Sequence, residues 1–538
     1  MAMWRNASAL RWEGHYGDRI VRCYADRPRS VDEMLAHAAA QSPQALAFVD
    51  SERRRTYAEL NVAADLVAAG LVARGVQAAD RVALLLENRG EFAEAFFGIL
   101  RAGAIAVPLN PRDQQPELES LLGHAEAKVV IHESHLAQRL PEARAIPSVR
   151  CRICVGAPVT GSEPFDALAA TATRQQRPSV TEDSTAVILY TSGTTGQPKG
   201  AMLTNLSIVS ATINYQVCWE LNDQDRALMA VPVSHVTGLV AILLTMVRVR
   251  GTTLFMRDFK AARFLELAAA ERMTYTLLVP AMYNLCLLQT SFDKFDLRHW
   301  RVGGYGGAPM PPATIARLAA KMPWLSLVNA YGATETTSPS TLTPIGQGPS
   351  HADKVGVPVP TAEILVVDEA SREVPVGTSG DIWIRGGHVV AGYWRNDEAT
   401  RASFCAGFWK SGDVGAVTED GYLTLLDRKK DLINRGGYKV YSAEVEGVLM
   451  QHSAVAEAAL IAVPDPVLGE KSHAMVYLKS GSMDPAELKG FCAERLSDYK
   501  VPDFVTFVGG PLPRNAAGKV LKRKLSLELV DRSRAGTA

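Results

Sequence analysis

The chain has 538 residues, and its 57 basic and 57 acidic side chains give a formal net charge of zero. This length exceeds what one compact core usually holds and predicts two or more domains, while 47% hydrophobic and 21% charged residues are typical of a globular protein. The even balance of charge excludes the basic surface of a nucleic-acid-binding protein and a general attraction to anionic membranes.

The cysteines favour a reducing compartment, because seven of them are spread thinly over a long chain and do not resemble a disulfide framework. Cys151 and Cys154 form one C-x-x-C pair that no second pair or nearby histidine completes, so we interpret it as incidental. The N-terminus lacks the apolar core of a signal peptide. The longest apolar run, 236–247, is too short to span a bilayer and predicts a buried helix. We therefore expect a cytoplasmic protein without a transmembrane segment.

Short apolar segments alternate with longer helical patterns along most of the chain. After a strand at 82–86 comes a helix through 92–100, and the further predicted strands are 104–107, 129–132, 186–190, 227–231 and 325–329. This alternation predicts an α/β fold of largely parallel sheets covered by helices, in which ligands bind at the loops after the strands. The segment 141–178, with scattered Pro, Gly and Thr, is predicted to be an irregular surface excursion.

The end of the chain has a different pattern. A charged run at 427–431 precedes a helix predicted at 485–496 and strands predicted at 458–463, 473–478 and 504–508. These elements indicate a small α+β domain of roughly a hundred residues, a common domain size. We predict a large N-terminal domain over residues 1–428 and a small C-terminal domain over residues 429–538.

The most informative stretch is 190–200, Tyr-Thr-Ser-Gly-Thr-Thr-Gly-Gln-Pro-Lys-Gly, which follows a predicted strand and precedes a helical segment beginning near Asn205. Its glycines let backbone amides approach phosphate oxygens, its hydroxyls add donors, and its lysine supplies a cation for pyrophosphate. The logic is that of a P-loop, although the Walker spacing is absent. The candidate phosphate-binding residues are Thr191, Ser192, Gly193, Thr194, Thr195, Gly196 and Lys199.

This stretch resembles the phosphate-binding motif of the adenylate-forming superfamily, which contains acyl-CoA synthetases, peptide-synthetase adenylation domains and beetle luciferases. Six further motifs resemble those of the superfamily in the same order, and the resemblance extends from about Thr56 to Leu525. Taken singly, each motif also has a plain structural interpretation, such as a packed histidine, a Gly-Gly turn or a solvated lysine. Their order and spacing together favour the functional interpretation.

Three of the further motifs fall in the large domain, and those at 231–238 and 329–336 follow predicted strands. The segment 231–238 resembles the acyl-pocket motif and assigns His235 to the pocket wall. The segment 305–310 resembles the adenine-binding loop, in which small residues let a flat base lie against the backbone, and the segment 329–336 resembles the next motif. The resemblance assigns Gly306, Gly307, Ala308, Pro309, Tyr331 and Gly332 to the nucleotide, Thr334 to the α-phosphate, and Glu335 to Mg²⁺.

The other three motifs lie towards the end of the chain. The segment 409–413 resembles the ribose motif, in which Asp413 would accept hydrogen bonds from both hydroxyls, and 511–520 resembles the C-terminal catalytic loop. The resemblance assigns Lys519 to stabilising negative charge during adenylate formation.

The segment 427–440 resembles the hinge and the loop that follows it. The resemblance assigns Arg428 to the nucleotide, Lys430 to the hinge, and Gly436 and Gly437 to the path of coenzyme A. One departure is Ser442, where many relatives have proline, and it puts the local loop shape in doubt.

The resemblance implies an AMP-forming acid–CoA ligase that uses ATP, Mg²⁺ and coenzyme A. The substrate carboxylate attacks the α-phosphate of ATP and pyrophosphate leaves. The small domain, which is mobile in this family, then rotates about the hinge, so that Lys519 leaves the site and the loop at 436–437 enters it. A thiol finally attacks the acyl-adenylate and AMP leaves.

Two alternatives remain beside the ligase. One is a stand-alone adenylation enzyme that loads an acyl group onto a carrier protein. An amino-acid substrate is disfavoured, because Ser234 and His235 stand near the position where amino-acid-activating relatives usually have aspartate. The other is an inactive relative that only binds ligands, which would need the loss of Lys519 or Glu335, and both are present.

The identity of the acid is the least determined feature. The glycines 303, 304 and 306 indicate room for a bulky or long group, and apolar neighbours such as Val302 and Met310 indicate an apolar acyl group. The expected order is a medium- or long-chain fatty acid, then an aryl or arylpropenoic acid, then a short-chain acid, which favours a role in fatty acid metabolism. The expected partners are small molecules, and a homodimer is left open.

Overall fold

The computed structural model describes residues 4, 9–51, 53–171, 178–191, 198–429, 431–436, 438–514 and 520–535. The chain separates into two compact units. The first unit comprises residues 1–364 and 384–410, and the second comprises residues 365–383 and 411–538. The border at residues 428 and 429, as the start of a mobile domain, stays a prediction.

One sheet of the first unit has seven strands. All its pairings are parallel except the antiparallel one between the first two strands in spatial order. In that order the strands are Lys199–Thr204, Thr185–Thr191, Ile105–Pro108, Arg81–Leu85, Val129–Glu133, Cys151–Val155 and Glu163–Pro164.

A second sheet of the first unit has nine strands. Its six central strands are parallel, and antiparallel pairs complete both edges. In spatial order the strands are Val357–Pro358, Thr341–Leu342, Ser326–Tyr331, Val302–Gly306, Tyr275–Leu278, Arg226–Met229, Thr252–Phe255, Leu46–Val49 and Arg54–Thr56. A separate antiparallel hairpin joins Leu10–His15 to Arg19–Tyr24.

Helices cover these sheets, as the alternating pattern predicts. Every residue of the helix Gly90–Arg101 except Glu91 is buried, which explains why its sequence is largely apolar on all sides. The helix Tyr57–Ala73 begins with a capping box between Thr56 and Glu59. The other α-helices of the first unit are Val31–Gln41, Gln115–Ala125, Asn205–Cys218, Thr245–Val249, Ala261–Ala270, Pro280–Leu287, Pro312–Lys321 and Asp397–Ser403. Its short 3₁₀ helices are Ser134–Arg139, Ala143–Ala145, Phe165–Thr171, Phe292–Lys294, Thr334–Thr336 and Pro349–His351.

The predicted strands of the large sheets are confirmed within a few residues at their ends, but the prediction of a surface excursion at 141–178 is wrong. Within that segment Cys151–Val155 pairs in parallel with Val129–Glu133, and Ile153 is fully buried. The neighbouring Pro and Gly residues obscured a short apolar strand. Cys151 and Cys154 are three positions apart on this strand, so their side chains point to opposite faces.

The apolar run at 236–247 is buried, as predicted, but its helix has an unexpected form. Residues Thr237–Leu244 form a π-helix that continues into the α-helix Thr245–Val249. A π-helix widens the helical turn and is frequent at functional sites. Among the residues that the structure describes, no helix is long and apolar enough to cross a membrane.

The second unit is an α+β unit with its own core, in agreement with the predicted class. In one sheet Tyr438–Val440, Ile433–Arg435, Gly469–Leu478 and Val455–Asp465 follow one another, and Phe504–Val508 pairs in parallel with Gly469–Leu478. The α-helices are Ser442–Leu449, Pro485–Ala493 and Lys522–Ala535, with a 3₁₀ turn at Asp498–Lys500. The remaining strands of the chain are Glu363–Val367, Gly380–Arg385, Phe404–Cys405, Phe408–Val417 and Leu423–Arg428.

Candidate active site

Three of the sequence motifs leave the same edge of the nine-stranded sheet. The motifs at 231–238, 305–310 and 329–336 follow the parallel strands Arg226–Met229, Val302–Gly306 and Ser326–Tyr331. Parallel strands end at one common edge, and the loops there form the usual ligand crevice of an open α/β sheet. The fold therefore gathers the residues predicted for the acyl group, adenine and phosphate.

The phosphate loop connects two antiparallel strands. Thr191 pairs with Lys199, and the Thr191 hydroxyl donates to the Lys199 carbonyl oxygen over 3.5 Å. The helix predicted near Asn205 is confirmed as Asn205–Cys218, and the strand Lys199–Thr204 lies between the loop and this helix. Ser192, Gly193, Thr194, Thr195 and Gly196 lie outside the described residues.

Lys199 and Glu335 are connected by one aromatic residue, Tyr393. The Tyr393 hydroxyl donates a hydrogen bond of 2.9 Å to Oε1 of Glu335. The ammonium group of Lys199 lies 5.1 Å from the centroid of the same ring, which is a cation–π distance. The lysine predicted to bind pyrophosphate and the carboxylate predicted to bind magnesium thus share a neighbour within the first unit.

Tyr393 reaches this position because its segment is hydrogen-bonded to the strand Lys199–Thr204, which follows the phosphate loop. The Met202 amide donates to the Gly392 carbonyl oxygen at 2.9 Å, and the Trp394 amide donates to the Gly200 carbonyl oxygen at 2.7 Å. Burial raises the pKa of the Tyr393 hydroxyl, which keeps it a protonated donor. The sequence analysis missed this residue, and a tyrosine after a glycine is a weak signal by itself.

The geometry around Glu335 fits a magnesium ligand. The residue lies in the 3₁₀ helix Thr334–Thr336 and is half-buried, and its Oε1 accepts from a neutral phenol. Mg²⁺ commonly binds one or two protein carboxylates together with phosphate oxygens. The Thr336 hydroxyl accepts from the Ala333 amide at 2.9 Å and so fixes the start of the turn. Thr334 lies half-buried beside Glu335.

The predicted adenine loop has the backbone that its glycines indicate. A side chain at Gly306 would lie 2.5 Å from the Ala330 carbonyl oxygen of the neighbouring strand. Gly307 adopts a φ of 77°, the left-handed region that favours glycine. Ala308 and Pro309 follow as exposed residues. On the adjacent strand end, Tyr331 is half-buried and Gly332 is exposed.

His235 is an exposed residue at the start of the π-helix rather than a packed core histidine. Its Nδ1 lies 3.2 Å from the Thr237 hydroxyl and accepts from the Thr237 amide over 3.3 Å. The sequence analysis missed Asn88, which fixes the preceding loop. The buried amide of Asn88 accepts from the Val233 amide at 2.8 Å and donates to the Val231 carbonyl oxygen at 2.9 Å.

The predicted room beside Gly303 and Gly304 is filled by aromatic side chains. A Cβ atom at Gly303 would lie 3.1 Å from the Tyr283 hydroxyl, and one at Gly304 would lie 2.9 Å from Cη2 of Trp219. Both rings are fully buried. The prediction of space for a bulky or long group at these two glycines is therefore wrong, because two aromatic side chains that are distant in sequence occupy that space.

Other polar features of the first unit lie away from the motifs. A cavity of about 670 Å³ opens at the ends of Leu46–Val49 and Thr252–Phe255, and its described lining includes no motif residue. Two groups of three potential metal ligands, Glu13–His15–Cys23 and Glu87–Glu133–His135, also occur among the described residues. In each group an arginine already neutralises a carboxylate, since Arg27 binds Glu13 at 2.7 Å and Arg89 binds Glu133 at 2.9 Å.

In the second unit the predicted ribose and nucleotide residues bind each other. Asp413 and Arg428 are opposite partners in an antiparallel pair, and Nε of Arg428 lies 3.0 Å from Oδ1 of Asp413. Gly436 has a φ of 60° in the turn between two strands. Lys430, Gly437 and Lys519 lie outside the described residues, so their roles stay predictions.

Ser442 has a distinct role in the second unit. It begins the helix Ser442–Leu449, and both its amide and its hydroxyl donate to the Asp427 carboxylate. Lys522 donates to the Ser442 hydroxyl and, at 2.7 Å, to Glu446. Burial raises the pKa of both Asp427 and Glu446. A proline at residue 442 would lack the amide that Asp427 binds, which gives the departure from many relatives a physical meaning.

Comparison with known proteins identifies related chains over almost the whole length. A family model described as AMP-binding enzyme matches residues 35–394, and one described as AMP-binding enzyme C-terminal domain matches residues 444–519. The long-chain-fatty-acid–CoA ligase FadD13 of Mycobacterium tuberculosis is 34% identical over 506 residues, which is 92% of this chain and 98% of that protein. A feruloyl-CoA synthase of Amycolatopsis is 34% identical over 485 residues, 90% of this chain and 96% of that protein.

Among solved structures, the o-succinylbenzoate coenzyme A synthetase of Bacillus subtilis, in complex with ATP and magnesium ion, is similar with a TM-score of 0.82. The two sequences are 29% identical, and the match covers 92% of this chain and 99% of that chain. These three proteins are named for three different acids. The common element is the ligation of an acid to coenzyme A.

Proposed function

The chain belongs to the AMP-binding enzyme family and is an ATP-dependent acid–CoA ligase, and on this premise we propose that it activates an apolar carboxylic acid with the site at the edge of the nine-stranded sheet. The observation that carries the proposal is the connection of Lys199 and Glu335 through Tyr393. It joins a cation suited to pyrophosphate and a carboxylate suited to magnesium beside the predicted adenine loop.

The proposed first step is attack of the substrate carboxylate on the α-phosphate of ATP, with departure of pyrophosphate. Carboxylate and triphosphate repel each other, so the site has to neutralise phosphate charge and align the two reactants. Lys199 would neutralise the leaving pyrophosphate, Thr334 would donate to the α-phosphate, and Glu335 would hold magnesium. Bound magnesium would supply further neutralisation of phosphate charge.

The proposed second step is attack of the coenzyme A thiol on the acyl-adenylate, with departure of AMP. We assign Asp413 and Arg428 to the nucleotide, Lys519 to the first step, and Gly436 and Gly437 to the thiol path, with Lys430 as the hinge. The exchange of two conformations around one bound intermediate would separate the two chemistries. Cytoplasmic localisation and homodimer formation stay predictions.

The proposed substrate is a fatty or aryl acid. The apolar and buried Met310 at the end of the adenine loop supports an apolar acyl group. The relatives named for long-chain fatty acids and for ferulic acid support the same two classes. The alternative acceptor, a carrier protein in place of coenzyme A, would leave the first step unchanged.

A screen of pyrophosphate release over a panel of carboxylic acids tests this proposal. Each acid is measured with ATP and magnesium, with and without coenzyme A, and the acyl product is identified by mass spectrometry. We expect release with apolar acids and formation of their CoA thioesters. Adenylate formation without any thioester would favour the carrier-protein alternative, and no release with any acid would overturn the proposal.

A further inference from the structure

The two faces of the strand Val302–Gly306 are closed by different aromatic residues. Successive positions on a strand point to opposite faces, so Gly303 and Gly304 face different neighbours. Tyr283 covers the face of Gly303, and Trp219 with Leu277 covers the face of Gly304. At each glycine, an aromatic ring from another element occupies the space that a side chain would take.

The face of Gly304 is the one that faces the acyl-pocket motif. Trp219 packs against Tyr275 with ring centroids 5.8 Å apart. The Tyr275 hydroxyl donates at 2.9 Å to the carbonyl oxygen of Ala241, which lies in the π-helix that begins two residues after His235. Trp219 therefore fills the space between this strand and the helix that follows the predicted pocket residue.

The position of Gly304 along its strand shows how far from the adenine loop the indole ring of Trp219 lies. Gly304 lies two residues before Gly306, on the same face, which is roughly 6–7 Å along the strand. Gly306 is the point at which the predicted adenine loop begins. An acyl group that enters between His235 and Gly306 and extends along the strand would meet the indole ring of Trp219.

The indole ring of Trp219 is also fixed in place. Its Nε1 donates to the Thr343 carbonyl oxygen over 3.2 Å, and its ring packs against Tyr215 with centroids 5.2 Å apart. The Tyr215 hydroxyl lies 2.9 Å from the Ser338 hydroxyl. A ring held on several sides forms a floor rather than a movable side chain.

We propose that Trp219 closes the acyl site at the level of Gly304 and limits the length of the acyl group, which rests on the proposed function. The preferred acid is then compact, with a short to medium chain or a single aromatic ring, and long straight chains are disfavoured. The sequence analysis ranked medium- and long-chain fatty acids together as the most favoured substrates, and this proposal removes the long-chain acids from that group.

The test compares the chain-length profile of the full-length wild type with that of Trp219→Leu. The measured quantity is kcat/KM for straight-chain saturated acids from butanoic to hexadecanoic, together with benzoic and cinnamic acids. The wild type should favour the shorter chains. The variant should move the optimum to longer acids, with about a fourfold or larger gain for each additional methylene that it accepts.

Trp300→Leu is the matched control. Trp300 is as buried as Trp219, its Nε1 also donates to a backbone carbonyl oxygen, that of Val302 at 3.0 Å, and it stacks on Tyr283 behind the Gly303 face. This change removes the same volume and the same type of hydrogen bond on the opposite face. Its chain-length profile should keep the wild-type optimum.

Two further variants keep the test decisive if Trp219→Leu is too unstable in a thermal melt. Trp219→Phe removes less volume and should move the optimum in the same direction by a smaller step. Gly304→Ala adds a Cβ atom 2.9 Å from Cη2 of Trp219 and should shorten the profile further. An unchanged optimum in folded Trp219 variants, or a wild type that prefers hexadecanoic acid, would overturn the inference. Absence of activity with every acid in the wild type would instead overturn the proposed function.

Discussion

In the first unit Lys199 and Glu335 are held apart by the ring of Tyr393, whereas in the second unit Asp413 and Arg428 bind each other directly at 3.0 Å. A phenol between a cation and an anion orients both charges without neutralising either. A direct ion pair instead neutralises its members until a ligand competes for them. The first arrangement suits groups that must act on phosphate charge, and the second suits groups that respond to a bound nucleotide.

This difference leads us to expect different kinetic effects in the two units. Changes to the first unit should act on adenylate formation, because Lys199 and Glu335 are assigned to pyrophosphate and to magnesium. Changes to the second unit should separate the two half-reactions, because its motifs are assigned to alternating conformations. Half-reactions are measured separately as pyrophosphate release and as thioester formation from a supplied acyl-adenylate.

The largest effect is expected for Lys519→Ala. Loss of one charged contact to a developing anion typically lowers the rate by about a hundred- to a thousand-fold. Pyrophosphate release should fall by that amount, while thioester formation from the supplied adenylate should persist. Lys524→Ala, which removes an exposed lysine nearby, serves as the control and should leave both rates near wild type. An equal fall of both half-reactions would contradict the assignment of Lys519 to the first step alone.

Lys430→Pro should affect the opposite half-reaction. Proline fixes φ at the position where the small domain is proposed to turn, and misplacement of a reacting group by about 1 Å can lower a rate a hundred-fold. If the variant folds in the adenylating conformation, pyrophosphate release should survive and thioester formation should fall by about that factor.

The control for this hinge variant is Lys430→Ala, which removes the same charge but leaves φ unrestricted. A thermal melt must accompany both variants, because proline can disturb local folding. Normal stability with both half-reactions intact in Lys430→Pro would show that the residue is not the pivot or that no large rotation is needed.

The predicted fold followed from local patterns, and so did the gathering of the motifs. Parallel strands end at one edge, so the loops after the predicted strands 227–231 and 325–329 were expected to lie together, whereas the strand Val302–Gly306 between them was not predicted. The strand bounds also followed from short apolar runs. The segment 141–178 was missed because proline and glycine neighbours obscured its buried strand.

The parts that escaped prediction depend on contacts between distant segments. Tyr393 meets Glu335 only because Ala201 and Tyr393 are bridge partners, and no local pattern indicates that pairing. Trp219 fills the space at Gly304 although the two are far apart in sequence. A glycine in a strand indicates a close approach, but sequence alone does not say whether a ligand or a side chain makes it.

The stability of the two units should also depend on pH in different ways. Burial lowers the pKa of His388 in the first unit to about 3, whereas burial raises the pKa values of Asp427 and Glu446 in the second. A buried neutral histidine contributes stability that is complete above its unfolded pKa of about 6.5 and is lost as pH falls below it. The two carboxyls change in the opposite sense, because their protonation relieves the cost of burying charge.

His388→Gln should therefore remove part of the acid sensitivity. Between pH 6.5 and pH 4.5 the wild type should lose about 2–3 kcal/mol more unfolding free energy than the variant. The measurement is the slope of unfolding free energy against pH by chemical denaturation, since the baseline stability of the variant will also differ. His37→Gln, at an exposed position, is the control. Parallel slopes for His388→Gln and the wild type would contradict a buried neutral imidazole.

Glu335→Gln tests the proposed magnesium ligand. The amide keeps the shape of the side chain but loses the charge that Mg²⁺ prefers in its oxygen ligands. The magnesium concentration for half-maximal pyrophosphate release should rise at least about tenfold, a typical effect of altered metal surroundings. Thioester formation from supplied adenylate should change little. An unchanged magnesium requirement would move the ligand to another residue.

Tyr393→Phe examines the connection itself. The change removes the hydroxyl that donates to Glu335 but keeps the ring beneath Lys199. One hydrogen bond to a charged group is worth about 1.5–3 kcal/mol, so pyrophosphate release should fall about ten- to a hundred-fold and the magnesium requirement should rise with it. Tyr393→Leu, which removes the ring as well, should in addition weaken the interaction of Lys199 with pyrophosphate. If Tyr393→Phe and Tyr393→Leu gave the same loss, the ring would have no role in holding Lys199, and only the half of the connection that orients Glu335 would remain.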